Sequence, residues 1–354
     1  MPGTPAARRL AEDFAGIARE YLQRSDAGRA IELYEEAYGW DDENGVLLAE
    51  LTLAYVRAEN FPFARFYLEL AERMAPRAPP EAYAVLGDVY DSLQRLEDAV
   101  LAWEQFERLG GDNPRILKRL ANTREELSVA SGQKSRDTGS FRFFFDAAIP
   151  GGTVDAIQKR LELCQAEQSG FFGMPLPASQ VVVLYAGRAY FTLVSVPDWV
   201  SGVFDGKIRI SLDPDGGITP ALEGVLCHEI AHAFLRRASA DRAPGWLHEG
   251  LAQWWEGKRI LRREFRELFR GKVPHSLTEM EGNLARQRDR ATAQTNYVES
   301  LGLVEYLMQS RGIGSLACLV ADLGGGASMS EALRKETGLS SEELVSRWRI
   351  WAGI

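Results

Sequence analysis

Five consecutive residues, His228-Glu229-Ile230-Ala231-His232, set two imidazoles four positions apart, and Glu249 follows seventeen positions after the second. Side chains at that interval share a face on an α-helix, so the spacing predicts a helix with both imidazoles on one side and Glu229 beside them. Two imidazoles and a carboxylate occupy three corners of a tetrahedron and leave the fourth for water, which is the geometry of catalytic rather than structural zinc. The chain has only four histidines, and two of them fall at this spacing.

The ends of the helix are also readable. Thr219 suits the N-cap and Pro220 the first helical position, where a missing N–H costs nothing. Leu222, Val225, Leu226, Ile230, Ala233 and Phe234 then recur at helical spacing, a stripe that would pack into a core and hold the histidines. Arg236 and Arg237 suit the carboxyl end. A second helix is expected from near Pro244, through Glu249, towards Gly257, returning the carboxylate to the metal.

These residues carry a resemblance. His-Glu-Ile-Ala-His followed by Pro244-Gly245-Trp246-Leu247-His248-Glu249-Gly250-Leu251-Ala252-Gln253 resembles the gluzincin zinc peptidases, the broad group of thermolysin and the zinc aminopeptidases. The closest likeness is to the peptidase MA-like domains often fused to tetratricopeptide repeats. The similarity covers about residues 140 to 354. It implies one zinc ion per chain held by His228, His232 and Glu249, with Glu229 as the general base that takes a proton from water and passes it to the leaving amine. No Gly-x-Met-Glu-Asn signature of aminopeptidases precedes the motif, so the choice between internal and terminal cleavage stays open. Related enzymes place a downstream tyrosine or histidine at the oxyanion, which here implies Tyr297 first and His275 second. Tyr297 also fits an apolar stripe with Leu301, Val304 and Met308, and His275, after a proline in a loop, reads foremost as an exposed surface histidine. Gln253, one turn after Glu249, is a candidate acceptor for the far nitrogen of a ligand histidine. His248 is expected to point about 100° away from Glu249 and so outside the ligand set.

Ahead of the motif, Phe141 to Phe145, Val181 to Tyr185 and Lys207 to Leu212 read as short strands, with an amphipathic helix from Val154 to Glu167 between the first two. By resemblance the third run would be the edge strand to which an extended substrate peptide adds itself. From Gly257 to Lys272 seven basic residues face Glu264 and Glu267, and Arg262, Arg266 and Arg270 form a column opposite Leu261, Phe265 and Leu268. The column reads as a solvated helix face or as a surface favouring acidic substrate segments.

The amino-terminal third is built differently. Tyr21, Ala30, Tyr34 and Ala37 recur thirty-four positions later as Tyr55, Ala64, Leu68 and Ala71, and again thirty-five further on as Tyr90, Ala99, Trp103 and Phe106. This period and pattern resemble tetratricopeptide repeats, helix-turn-helix units that bury their faces on one another and present a groove to a protein partner. Ile116 to Val129 would cap the stack, and the polar run Ser131 to Ser140 would link it to the next domain.

The expected architecture is therefore multidomain, an all-α repeat superhelix followed by an α+β gluzincin domain. Residues 1–10 would be a tail, 11–113 three repeats (about 11–44, 45–78 and 80–113), 114–140 the cap and linker, and 141–354 the metallohydrolase. The function implied is a zinc metallopeptidase whose repeats recruit a protein partner or substrate. The alternative is a repeat binding module with a structural or catalytically weak zinc site. A net charge of -9 argues against nucleic-acid binding. No run is apolar enough to span a membrane and no signal core follows Met1, which makes the cytoplasm the default. Cys164, Cys227 and Cys318 lack metal spacing, and their odd count suggests no disulfide framework.

Overall fold

Short polar side chains open several helices of the first 130 residues. The structure, a computed structural model, describes residues 4–354 apart from 24–25, 59, 131, 177–179, 194–195, 214–216, 261, 271–272 and 282–288. Met1–Gly3 of the expected tail, Ser131 of the linker, and Leu261 and Lys272 of the basic segment lie outside the described residues, as does the side chain of Arg262. The chain folds as two compact units, Met1–Gln133 and Lys134–Ile354.

In the first unit, helices α1 (Pro5–Gln23), α2 (Ala27–Trp40), α3 (Gly45–Arg57), α4 (Phe61–Met74), α5 (Pro80–Ser92), α6 (Leu96–Arg108) and α7 (Pro114–Ala130) follow in order. Asp26 accepts from the amide of Arg29, and Asn44 from those of Val46 and Leu47, which satisfies donors that a helix start leaves free. Helices pack in chain order, α1 on α2, α3 on α4, α5 on α6 and α6 on α7. The recurring positions lie inside except half-buried Tyr21, with Tyr34, Ala64, Ala99 and Trp103 fully or almost fully buried. Trp103 fits only because residue 87 is glycine, since a Cβ there would come within 2.2 Å of the indole. Phe106, where the repeat pattern expects a small residue, is buried too, and Gly111 leaves it room. The expected tail is shorter than 1–10, because α1 already begins at Pro5 and buries Ala7.

The second unit opens with a strand where the sequence predicted a linker. Polar Lys134–Asp137 form β1, whose lack of apolar side chains hides its role as a sheet edge. It pairs antiparallel with β2 (Phe141–Phe145). Helix α8 (Gly151–Phe172) returns the chain to β3 (Gln180–Ala186), parallel to β2. Helix α9 (Ala189–Leu193) and the short strand β4 (Gly202–Phe204) lead to β5 (Ile208–Leu212). The sheet order is β1-β2-β3-β5-β4.

This order corrects one expectation. The run Lys207 to Leu212 supplies β5, which is interior, pairing parallel with β3 and antiparallel with β4. The edge is β4. Its three residues are too few to show periodicity, but the Asp205-Gly206 turn after it, with Gly206 at φ +106°, is a readable hairpin signal.

Among the described residues seven α-helices complete the unit: α10 (Pro220–Ala238), α11 (Gly245–Trp255), α12 (Arg262–Leu268), α13 (Arg290–Arg311), α14 (Ile313–Gly324), α15 (Met329–Thr337) and α16 (Ser341–Ala352). The inward faces of β2, β3 and β5 share one apolar core with α8 and α10, which also takes in Trp246, Phe265 and Trp348. Phe265 and Phe269 are buried, while Arg263, Arg266 and Arg270 face solvent. Ser340 and Glu343 form the capping box of α16.

A disulfide between Cys164 on α8 and Cys227 on α10 corrects the reading of the cysteines, and Cys318 is free. The two lie 63 positions apart, and only the packing of α8 on α10 brings their Cα atoms to 5.3 Å. Among the described residues no helix is long and apolar enough to cross a membrane.

Candidate metal centre and active site

Helix α10 is built as its ends predict. The Thr219 hydroxyl accepts from the amide of Leu222, Pro220 occupies the first turn, and Arg236 and Arg237 close the last. Leu226, Ile230 and Phe234 are fully buried and fix the rotation of the helix. His228 and His232 consequently point the same way, with their Nε2 atoms 3.1 Å apart. Helix α11 returns Glu249 to them, its Oε2 3.7 Å from Nε2 of His228 and its Oε1 3.9 Å from Nε2 of His232. One ligand atom from each residue falls within 4.8 Å of the others.

These residues fit a divalent ion. Nδ1 of His228 lies 2.9 Å from Oε2 of Glu256, and Nδ1 of His232 lies 3.4 Å from Nδ1 of His248. With the outer nitrogens donating in these contacts, both Nε2 atoms present lone pairs to the same point, an arrangement that a cation stabilises. Glu249 Oε2 is buried without a hydrogen-bond partner, which is costly unless something positive faces it. Two imidazoles and a carboxylate are a zinc donor set.

The electrostatics follow from burial. Burial pushes the Glu229 carboxyl up to about 8, with Glu249, Glu256 and Asp205 adding to the rise against the pull of His228. Burial likewise raises Glu249 and lowers His232, and it lowers His248 to about 4. His228 differs from the other two histidines. Burial is the largest single influence on it and acts downward, yet the bond to Glu256 and the charges of Glu229, Glu249 and Glu256 carry it above its ordinary value.

Glu229 is almost wholly buried beneath strand β4. A Cβ on Gly202 would sit 2.6 Å from Glu229 Oε1, so the glycine lets the edge strand cross directly over the carboxylate. Tyr297, on α13, is held protonated first by burial and then by the charges of Glu249, Glu229 and Glu256, which marks it as a neighbour of the cluster.

Other candidates fall elsewhere. Gln253 shows no bond to His228 or His232 among the described residues; its Nε2 donates to the carbonyls of Glu249 and Tyr297 and ties α11 to α13. His275 is not a free surface histidine, because its Nδ1 lies 2.6 Å from Oε2 of fully buried Glu299 and its amide donates to Oε1. His248 stays out of the ligand cluster but touches His232 from outside. Glu256 lies seven residues, two helical turns, beyond Glu249 and so on the same face, which is the signal that the sequence carries for it.

Residues 190–353 match the family model described as the Peptidase MA superfamily. The match begins in α9 and takes in β4, β5 and every helix that contributes to the cluster, and it supports a metallopeptidase-like domain in this part of the chain. No curated protein matches the chain.

Proposed function

We propose that residues 134–354 are a zinc-dependent peptidase and that the N-terminal helices, as a tetratricopeptide superhelix, bring it a protein partner or substrate. The observation that carries this reading is the convergence of His228, His232 and Glu249 beside a buried Glu229. A zinc ion held by these three residues would supply a Lewis acid for the peptide carbonyl and the attacking water.

The protein groups do the rest. Glu229 takes a proton from the attacking water and returns it to the leaving amine. A carboxylate whose proton affinity is raised by burial suits that work near neutral pH. The Tyr297 hydroxyl, which burial and nearby carboxylates keep protonated, donates to the oxyanion as it forms. The open side of β4 offers backbone groups to an extended peptide, and the absent side chain at Gly202 lets that strand lie close over the base.

For the N-terminal unit, recruitment is supported by a groove of about 300 Å³ lined by Glu72, Tyr83, Tyr90, Asp98 and Leu101. The unit also holds 24 acidic residues against 15 basic ones, so the whole net charge of -9 lies there. Its charge favours partners with basic segments.

The test is cleavage of a diverse peptide mixture by zinc-loaded wild type and Glu229→Gln protein, read by mass spectrometry. Products from wild type alone are expected, and their ends would distinguish internal from terminal cleavage. Absence of products from both would transfer the function to the N-terminal unit as a binding module.

A further inference from the structure

The two candidate ligand histidines are not held alike. The outer nitrogen of His232 meets the imidazole of His248 at 3.4 Å, whereas that of His228 meets a carboxylate at 2.9 Å. That carboxylate, Glu256, follows the last residue of α11, the helix that also supplies Glu249. Its other oxygen lies 2.8 Å from Nζ of Lys258, so both oxygens are occupied and the carboxylate is fixed from two sides.

Reaching His228 requires α11 to end very close to α10. The two come close at Gly224, one turn before His228, where a Cβ would lie 2.8 Å from the carbonyl oxygen of Glu256 and 3.1 Å from its Cγ. The obstacle would be backbone, which cannot swing aside as a side-chain tip does. An alanine at 224 would therefore push the end of α11, and Glu256 with it, away from the imidazole.

We propose that Glu256 is the positioning residue of the metal centre: its bond to Nδ1 fixes the His228 ring with Nε2 towards the ion, and Gly224 is the gap that lets it do so. The inference rests on the zinc reading above. It assigns the two histidines unequal shares of the affinity. An anionic partner makes His228 the more basic ligand, while a neutral imidazole gives His232 orientation without added charge. It also gives the glycine on the ligand helix a role that its position in the sequence does not reveal.

The experiment measures zinc affinity by competition with a chromophoric chelator, together with thermal unfolding of each metal-free protein. The proteins are full-length wild type, Glu256→Gln, Glu256→Ala, Gly224→Ala, the Gly224→Ala/Glu256→Ala double variant and His248→Asn. Loss of an outer carboxylate partner typically costs 10- to 100-fold in metal affinity. Glu256→Ala is expected in that range, and Glu256→Gln, which keeps an acceptor without the charge, between it and wild type. His248→Asn is expected to lose less than Glu256→Ala. Gly224→Ala should reproduce the loss of Glu256→Ala, and the double variant should be no weaker than either single one, since both remove the same contact. If Glu256→Ala fails to fold, Glu256→Gln decides. Wild-type affinity in Glu256→Gln or Glu256→Ala with an unchanged metal-free melt, or losses that add in the double variant, would overturn the proposal. A wild-type protein that takes up no zinc would remove the parent reading, and this inference with it.

Discussion

The N-terminal helices and the cluster of His228, His232 and Glu249 solve opposite problems of sequence distance. In the first unit each helix leans on one or two that stand near it in the chain, and its core side chains recur every thirty-four or thirty-five residues. In the second unit the groups around the cluster come from β4 at Gly202, α10 at residues 224–232, α11 at Glu249 with Glu256 at its end, and α13 at Tyr297. A structure of near neighbours tolerates local damage, because each interface is a separate term. A site drawn from distant segments depends on every close approach at once. The contrast predicts that substitutions in one unit leave the other's measurable property unchanged.

The largest expected effect is at a ligand. Glu249→Ala should abolish stoichiometric zinc and all peptide cleavage while far-ultraviolet circular dichroism keeps the N-terminal helices, and retained zinc on elemental analysis would break the comparison at its centre. Tyr297→Phe is next. With one oxyanion donor removed, kcat should fall by about 10²-fold with zinc content unchanged; equal kcat would return Tyr297 to a packing role. Gly87→Ala tests the other side. Forcing a methyl against Trp103 should destabilise the first unit by about 1–3 kcal/mol, seen in its thermal transition, and leave zinc affinity where it was. A change in zinc affinity would mean that the units are coupled.

The smallest effect is graded with pH. In the metal-free protein the folded-state pKa of Glu229, at about 8, lies above its unfolded value of 4.5. Between those values the folded state keeps a proton that the unfolded state releases, so stability should fall as pH rises from about 4.5 to 8, by at most about 1.4 kcal/mol per unit, and then level off. Glu229→Gln should flatten that slope. An unchanged slope in the variant would assign the pH dependence to other groups.

Legibility follows the same division. Helix α10 is readable to its caps because Thr219-Pro220 and Arg236-Arg237 are local signals, and the shared face of His228 and His232 because i and i+4 is a local rule. Strand β4 was missed because a three-residue edge carries no period, although Asp205-Gly206 announced its turn. The disulfide and the need for glycine at 202 and 224 had no sequence signal, since each follows from the approach of another segment. Glu256 falls between these cases. Its spacing from Glu249 was visible, but its partner 28 residues earlier was not.

The bridge between Cys164 and Cys227 fastens the ligand helix to α8 one residue before His228. Small metal sites often exist only when the ion is present, because binding it is what folds them. Here the helix that bears both imidazoles is held by a bond indifferent to the ion, and it also packs on the sheet core. Chelation should therefore leave a socket rather than a collapse. Reloading becomes a question of which ion the surroundings supply and how fast it arrives, not of whether the chain can find its shape again.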